Sequence, residues 1–173
     1  MTDHPVRPNA VILMGVSGAG KSTIGEHLAK KLGWRFEDGD AFHPESNVEK
    51  MRAGQPLNDA DRLPWLQAIA DEIDRQSDAG AAIVIACSAL KRSYRDILVH
   101  GRDDVRIVYL KGTRALIAER MARRKYHFMP PGLLDSQLAT LKEPGADENI
   151  ITVRIDRSVE EIVGDIITAL KAC

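Results

Sequence analysis

The chain alternates between short apolar runs and longer stretches in which apolar residues recur every three or four positions. The short runs are almost continuously apolar, so they predict parallel strands that are covered on both faces of a sheet. The predicted strands are residues 11–14, 81–87, 105–110 and 150–155, and a weaker run at 34–36 ends in Glu37 and Asp38.

The stretches between these runs have the spacing of amphipathic helices. Ile24, Leu28 and Leu32 lie four residues apart after the first run. Ser158 and Glu161 form a capping-box pattern before the last helix. Other helices are predicted around residues 66–73, with Pro64 tolerated only in the first turn, around 90–97, and around 116–121 behind a Thr113 cap.

Strands that alternate with helices imply βαβ units, a parallel sheet and helices on both of its faces, which is the α/β fold class. The 173 residues fit a single domain, residues 1–173. Two polar segments, residues 43–62 and 120–131, fit this scheme less well. Ligands bind beyond the carboxyl ends of strands in such sheets, so both segments are candidate parts of a site.

The first predicted strand leads into GVSGAGKS, which matches G-x-x-x-x-G-K-[ST] in full. Its glycines let backbone N–H groups converge on phosphate oxygens, and the following helix presents its positive end to the same anion. Lys21 can reach the β- and γ-phosphates, and the Ser22 hydroxyl can ligate Mg²⁺. The alternative is a turn that only packs closely, but strand, loop and helix in register favour nucleotide binding. The predicted ATP-binding residues here are Gly15, Val16, Ser17, Gly18, Ala19, Gly20, Lys21, Ser22 and Thr23.

The second predicted strand ends in two acids, Asp38 and Asp40, on the sheet edge that carries the loop. No conventional acid closes the third strand, which ends at Cys87-Ser88. Asp38 is therefore the candidate for the outer shell of Mg²⁺, an ion that keeps much of its water. Asp40 would face an acceptor hydroxyl, which it could orient or deprotonate. The alternative for Asp38-Gly39-Asp40 is a turn with no further role.

Composition and charge narrow the class of protein. The formal net charge is −1, which argues against nucleic acid as the main partner. No stretch approaches the roughly 18 apolar residues of a membrane span, so we expect no membrane partner. Cys87 and Cys173 are too few to imply a disulfide framework or a zinc site. A cytoplasmic protein is the simplest expectation.

Cations gather after the ends of the second and third predicted strands, although the chain as a whole is nearly neutral. This placement suits an anionic acceptor as well as ATP. The alternative is that several of these side chains are only solvated. The cations are Lys50, Arg52, Arg62, Lys91, Arg92 and Arg95.

A second basic stretch, RMARRKYHFMPP at residues 120–131, continues a predicted helix into two prolines. Its arginines could form a mobile lid that closes over ATP and excludes water. The stretch could equally be a solvated helix end whose cations interact with the helix dipole.

Several motifs together resemble one family over nearly the whole chain, from about residue 11 to residue 170. They are GVSGAGKS, FEDGDAFHP, NVEKMRAGQPLNDADRLPWL, CSALKRSYRDIL, VYLKG and LKEPGADE. On these motifs the chain resembles the gluconate kinases (gluconokinases). The phosphate loop is shared with many enzymes, whereas HP-x-x-N-x-x-KM, PLND-x-DR-x-PWL and CSALK-x-x-YRD are far more specific in combination.

The resemblance implies ATP-dependent phosphorylation of D-gluconate on its 6-hydroxyl group. It also implies a three-layer P-loop kinase fold of the nucleoside-monophosphate-kinase type, with five parallel strands and a homodimeric assembly. A mobile lid would cover roughly residues 120–140, and residues 156–158 would contact adenine. Asp40 would hold the acceptor hydroxyl.

The resemblance also assigns roles to single residues. Arg120 and Arg124 would clamp adenine and phosphates as lid arginines. The implied catalytic residues are Lys21, Asp40 and Arg124. The implied substrate contacts are Asp40, His43, Arg62, Lys91, Arg95, His127 and Gln137.

Two other functions stay open at this point. The chain could phosphorylate another small anionic acceptor, in the manner of shikimate kinase, or it could be a non-catalytic nucleotide-binding switch. A GTP switch would normally use an N-K-x-D element, which the sequence does not contain. Composition and spacing reach a P-loop kinase of a small anionic acceptor, and gluconate comes from the resemblance.

Overall fold

The protein is built on one five-stranded sheet in which all paired strands are parallel. The computed structural model describes residues 8–123 and 132–172. The strands are β1 (Ala10–Met14), β2 (Arg35–Asp38), β3 (Ile83–Ala86), β4 (Val105–Lys111) and β5 (Ile151–Arg154). Their order is β2-β3-β1-β4-β5, so the strand that leads into the phosphate loop lies at the centre.

Helices connect the strands and cover the sheet. They are α1 (Lys21–Leu32), α2 (Glu45–Arg52), α3 (Asp59–Asp78), α4 (Arg92–Val99), α5 (Arg114–Arg123), α6 (Leu133–Thr140) and α7 (Val159–Lys171). Two short 3₁₀ segments complete the described chain. They are Gly39–Phe42, which we call the acidic turn, and Ala146–Glu148.

The core lies on both faces of the sheet, and β1 shows why. Val11 and Leu13 pack with α1 and α7 on one face, whereas Ile12 and Met14 pack with α3 and α4 on the other. All four side chains are fully buried. The continuous apolar runs of the sequence are therefore explained, and the predicted α/β fold is confirmed.

Two of the predicted helix caps form. The Glu161 N–H donates to Ser158 Oγ at 3.1 Å, and the Leu116 N–H donates to Thr113 Oγ1 at 3.1 Å. Each bond satisfies a backbone donor that the helix itself leaves without a partner. The starts of α5 and α7 could therefore be predicted from local sequence.

Pro64 is an exception, because it lies in the second turn of α3 and the predicted first-turn position is wrong. The helix begins earlier because Asn58 and Asp61 cap each other. The Asp61 N–H donates to Asn58 Oδ1 at 2.8 Å, and the Asn58 N–H donates to the Asp61 carboxylate at 3.0 Å. Pro64 lacks the N–H that would reach the carbonyl of Ala60, so α3 forms without that one backbone bond.

A buried ion pair fastens α4 to the Ala146–Glu148 segment. Arg95 is 2% exposed, and its Nε and Nη2 donate to the two Glu148 carboxylate oxygens at 2.8 and 3.1 Å. Its Nη1 donates to the carbonyls of Ala89 and Leu90 at 3.0 and 3.2 Å. The Arg95 guanidinium, which was expected to contact gluconate, is thus enclosed by protein partners and connects α4 to the Ala146–Glu148 segment.

We expect Arg95→Met to lower the free energy of unfolding by about 3–5 kcal/mol, because Glu148 would stay buried without its partner. Denaturant unfolding at pH 7 measures this change. Arg95 lowers the pKa of Glu148 below its ordinary value of 4.5, so the loss should be present at neutral pH and shrink as the pH falls below that value.

The matched control for this prediction is Arg92→Met. The Arg92–Asp147 pair joins the same two segments, but both side chains are solvent-exposed. Exposed ion pairs contribute little to stability, so this variant should unfold almost like the wild type. Equal losses in the two variants would contradict the role given to Arg95.

Candidate active site

The phosphate loop, GVSGAGKS, connects β1 to α1 at the carboxyl edge of the sheet. Gly18 and Gly20 have φ angles of 87° and 93°, a left-handed backbone that favours glycine. Among the described side chains none caps the start of α1, so its first N–H groups suit an anion. Lys21 Nζ donates to the carbonyls of Gly15 and Val16 at 2.9 and 3.1 Å. The loop predicted from the motif has the form of a phosphate cradle.

The side chains of the loop divide into buried and accessible ones. Val16 and Ala19 are buried against the core, so only their backbone can face a nucleotide. Ser22 and Thr23 are exposed at the start of α1. The Lys21 ammonium group and the hydroxyl groups of Ser22 and Thr23 therefore lie at the end of the loop that enters the helix.

Two helices from the region predicted as a lid pack against the loop. Gln137 in α6 accepts the Ser17 N–H with Oε1 at 2.7 Å and donates from Nε2 to the Ser17 hydroxyl at 3.0 Å. A Cβ atom at Gly18 would lie 2.6 Å from Cγ of Met121 in α5. Gln137, expected to contact the acceptor, thus lies against the phosphate loop.

The Asp38 carboxylate links the phosphate loop to the acidic turn. Its Oδ2 accepts from Ser22 Oγ at 3.1 Å, and its Oδ1 accepts from the Asp40 N–H at 3.0 Å. The two predicted metal-binding residues, Ser22 and Asp38, are therefore neighbours. A hydroxyl and one carboxylate fit Mg²⁺, because this ion completes its coordination with water and phosphate oxygens.

The acidic turn is held close to the end of β3. A Cβ atom at Gly39 would lie 2.4 Å from the Ala86 carbonyl oxygen, so this position requires glycine. Trp65 in α3 donates from its buried Nε1 to the Gly39 carbonyl at 2.8 Å. These two contacts fix the position of the turn and, with it, the backbone of Asp40.

The pKa of the Asp40 carboxyl is raised above its ordinary value of 3.8. The main cause is the partial burial of the carboxyl group, which disfavours its charged form, although part of the side chain stays accessible to water. The negative charge of the nearby Asp38 adds to the rise. His43 and Lys21 act in the opposite direction. A carboxylate with a raised pKa is a better proton acceptor, which suits the predicted role toward a hydroxyl.

His43 lies next to Asp40, and the backbone N–H of His43 donates to the backbone carbonyl of Asp40 at 3.3 Å. Its ring stacks on the Trp65 indole with centroids 4.2 Å apart and planes 14° from parallel. Burial lowers the pKa of His43 below 6.5; the Arg62 charge lowers it further, and the Asp40 charge opposes this. The imidazole is therefore neutral at physiological pH, beside the group expected to hold the acceptor.

Two predicted cations meet around Tyr94, in a group that we call the tyrosine cluster: Asp59, Arg62, Lys91 and Tyr94. Arg62 Nη1 donates to the Tyr94 hydroxyl at 2.9 Å, and Lys91 Nζ lies 5.5 Å from the centre of its ring. Lys91 also donates to the Asp59 carboxylate at 2.9 Å. The Tyr94 hydroxyl donates to the same carboxylate. These hydrogen bonds lower the pKa of Asp59, so its carboxylate is ionised.

Of the two predicted lid arginines, Arg120 and Arg124, the structure describes the first. Arg120 donates to the carbonyl of Ile155, just beyond β5. This contact places Arg120 beside residues 156–158, the segment predicted to contact adenine. Arg124 and His127 lie outside the described residues, and the mobility of the lid stays a prediction.

Sequence reasoning missed three residues of the site, which are Asp59, Trp65 and Tyr94. All three stand inside the motifs PLNDADRLPWL and CSALKRSYRD that carry the family resemblance. Their place in these motifs was the available signal. The pattern of cations near strand ends does not include them. Trp65 and Tyr94 are uncharged, and Asp59 is negatively charged, as the expected acceptor is.

Comparison with known proteins agrees with the class that this fold and site define, a P-loop phosphotransferase. The family model described as shikimate kinase matches residues 17–171. A probable gluconokinase of Mus musculus is 45% identical over 95% of this chain and 98% of its own length. The gluconokinase of Gluconobacter oxydans is 45% identical over 99% of both chains.

A solved structure agrees with these relatives. The crystal structure of a gluconokinase from Sinorhizobium meliloti 1021 matches with a TM-score of 0.86 and 41% identity, over 96% of this chain and 93% of that one. The chain therefore belongs to the gluconokinase family, within the kinases that the shikimate kinase model describes. It is an enzyme of the phosphotransferase class.

We expect Trp65→Phe to lower the free energy of unfolding by about 1–3 kcal/mol beyond any packing loss, because the Gly39 carbonyl loses its donor. Denaturant unfolding measures the change. The control is Trp34→Phe, since Trp34 is a half-buried indole that packs on the other face of the sheet. If the two variants were equally stable, the hydrogen bond to Gly39 would not hold the acidic turn.

Proposed function

We propose that this chain is a gluconokinase that transfers the γ-phosphoryl group of ATP to the 6-hydroxyl group of D-gluconate. The products are 6-phospho-D-gluconate and ADP. The observation that carries the proposal is the Asp38 carboxylate, which joins Ser22 of the phosphate loop to the backbone of Asp40. The identity to gluconokinases over almost the full chain supports gluconate as the acceptor.

The donor side of the site would hold the ATP phosphates. The N–H groups of the loop and of the first turn of α1 would bind the phosphate oxygens, and Lys21 would turn its ammonium group from the loop carbonyls to the β- and γ-phosphates. Ser22 would ligate Mg²⁺ directly and Asp38 through water; when bound, the ion supplies positive charge to the phosphate oxygens. Arg120 would contact adenine, and Arg124 would reach the phosphates from the lid.

The transfer itself needs an aligned hydroxyl and a positive environment. The 6-hydroxyl oxygen forms a bond to the γ-phosphorus while the bond to the bridging oxygen of ADP breaks, and that electron pair leaves with ADP. Asp40 orients the hydroxyl and accepts its proton as the new bond forms. The raised pKa of Asp40 suits this acceptance.

The tyrosine cluster would bind the carboxylate end of gluconate. Lys91 and Arg62 supply the positive charge, and the ionised Asp59 balances it while the site is empty. Binding of the gluconate carboxylate to Lys91 would therefore release Asp59 to accept hydrogen bonds from sugar hydroxyl groups. Arg95 acts by holding α4 in place, and Gln137 by holding the phosphate loop, so neither is placed among the gluconate contacts.

The assembly and location of the enzyme are part of the same proposal. The family resemblance implies a homodimer in the cytoplasm, and both stay predictions. None of the helices in the described part of the chain is long and apolar enough to span a membrane.

We expect Asp40→Asn to lower kcat about 100-fold or more, because the amide cannot accept the proton of the hydroxyl. The affinity for ATP should be unchanged. The fold should be at least as stable as the wild type, since its surroundings raise the pKa of Asp40 and thus disfavour its charge. Coupled ADP-release kinetics and denaturant unfolding measure both effects.

The control for this variant is Asp78→Asn, which removes an exposed carboxylate at the far end of α3. Its kinetics should match those of the wild type. A kcat of Asp40→Asn close to the wild-type value would remove Asp40 from the reaction. A marked loss of stability would instead give Asp40 a structural role.

We expect Lys91→Ala to raise KM for gluconate about tenfold or more, because a charge-assisted hydrogen bond to the carboxylate is lost. KM for ATP should change little. Lys31→Ala removes an exposed cation from the last turn of α1 and serves as the control. An unchanged KM for gluconate in Lys91→Ala would place the carboxylate elsewhere.

A further inference from the structure

Asn47 is a buried polar residue that the reaction described above does not use. It lies in α2 and is only 2% exposed. Its Nδ2 donates to the carbonyl of Asp61 at 2.8 Å and lies 3.2 Å from Nδ1 of His43. The side chain thus connects α2, the start of α3 and the residue that follows the acidic turn.

The contact with Asp61 fixes which way the Asn47 amide points. A backbone carbonyl can only accept a hydrogen bond, so the NH₂ group of Asn47 must face Asp61. The opposite orientation would bring two acceptor oxygens together in a buried place. Because the same NH₂ group faces His43, the Nδ1 atom of His43 must be an acceptor without a proton.

A neutral imidazole that accepts at Nδ1 carries its proton on Nε2. The stacked Trp65 indole fixes the plane of the ring and the Asn47 contact at Nδ1 fixes its orientation in that plane, so the direction of the Nε2–H bond is also fixed. Two charged groups act on the ring, Asp40 from the acidic turn and Arg62 from α3. Within residues 8–123 and 132–172, Nε2 has no protein partner.

The geometry points to Asn47 as a positioning residue that holds His43 in the neutral Nε2–H form, so that His43 donates a hydrogen bond to a hydroxyl oxygen of the acceptor. This inference rests on the proposed function, because it places a polyhydroxylated acceptor beside Asp40. The inference adds to that function which partner donates the hydrogen bond between His43 and the acceptor. Asp40 would accept a hydrogen bond from one acceptor hydroxyl group, and His43 would donate a hydrogen bond to the oxygen of a hydroxyl group.

The first test needs no substrate. In ¹⁵N-labelled wild-type protein at pH 7.5, a long-range ¹H–¹⁵N spectrum should give His43 a protonated Nε2 and an unprotonated Nδ1. The chain has five histidines, and the His43→Gln spectrum assigns the signals by their loss. A proton on Nδ1 in the wild type, or on both nitrogens, would overturn the inference.

Asn47→Asp tests the positioning role in the same spectrum. A carboxylate can only accept, so the proton of His43 should move to Nδ1 or the ring should become doubly protonated. An Nε2–H form that persists in this variant would show that Asn47 does not set the tautomer. A general structural role for Asn47 would not produce this spectroscopic change.

The kinetic test compares two replacements of His43. Gln places an amide N–H close to the position of Nε2, whereas Leu fills similar space without a donor. We expect His43→Leu to raise KM for gluconate about tenfold, the value of one lost hydrogen bond, and His43→Gln to retain most of the wild-type affinity. KM for ATP should stay unchanged in both variants, and His27→Gln, on the exposed side of α1, is the control.

The outcomes separate the two proposals. Equal KM values for gluconate in His43→Leu and the wild type would overturn the donor role of His43, while gluconokinase activity would stand. A wild-type protein that phosphorylates other acceptors but not gluconate would overturn the proposed function, and the donor role toward gluconate with it. In that case the spectrum would still decide whether Asn47 sets the tautomer.

Discussion

The two halves of this site depend on one carboxylate. Asp38 accepts the Ser22 hydroxyl with one oxygen and the Asp40 N–H with the other, at 3.1 and 3.0 Å. In the proposed function, the donor half of the site ends at Ser22 and the acceptor half begins at Asp40. A shift of Asp38 would therefore change the distance between the phosphate to be transferred and the hydroxyl that receives it, and such distances control the rate of transfer strongly.

The sheet supplies the frame that keeps Asp38 in place. It is the last residue of β2, and its strand pairs in parallel with β3, so its position relative to β1 is set through β3. Two contacts hold the turn that follows, because Gly39 lies against the Ala86 carbonyl and its own carbonyl accepts the Trp65 indole N–H. Strand pairing and these two contacts of Gly39 thus position the polar atoms of the acidic turn.

The parts of this account that could be predicted from sequence are those that depend on local pattern. The apolar runs and helix caps predicted the fold class, and the loop motif predicted the phosphate cradle. The pair of Ser22 and Asp38 could be predicted as well, since parallel strands bring their carboxyl ends to one edge. Pro64 was misplaced because the Asn58–Asp61 cap that starts α3 was not recognised.

The roles of Arg95 and Gln137 could not be predicted, because their partners are distant in sequence. Arg95 pairs with a residue 53 positions away, and Gln137 bonds to one 120 positions away. Sequence gives the charge of an arginine but not whether a carboxylate already neutralises it. The same limit explains why Asp59, the counter-ion of Lys91, was missed.

The most direct test of the central claim, that this site phosphorylates gluconate, is a comparison of acceptors. Initial rates of ADP release would be measured for the wild-type protein with ATP, Mg²⁺ and D-gluconate, shikimate or adenylylsulfate. The account predicts that gluconate has by far the highest kcat/KM, because in the proposed function the tyrosine cluster and Asp40 bind opposite ends of a sugar acid. A higher kcat/KM for shikimate or adenylylsulfate would contradict it.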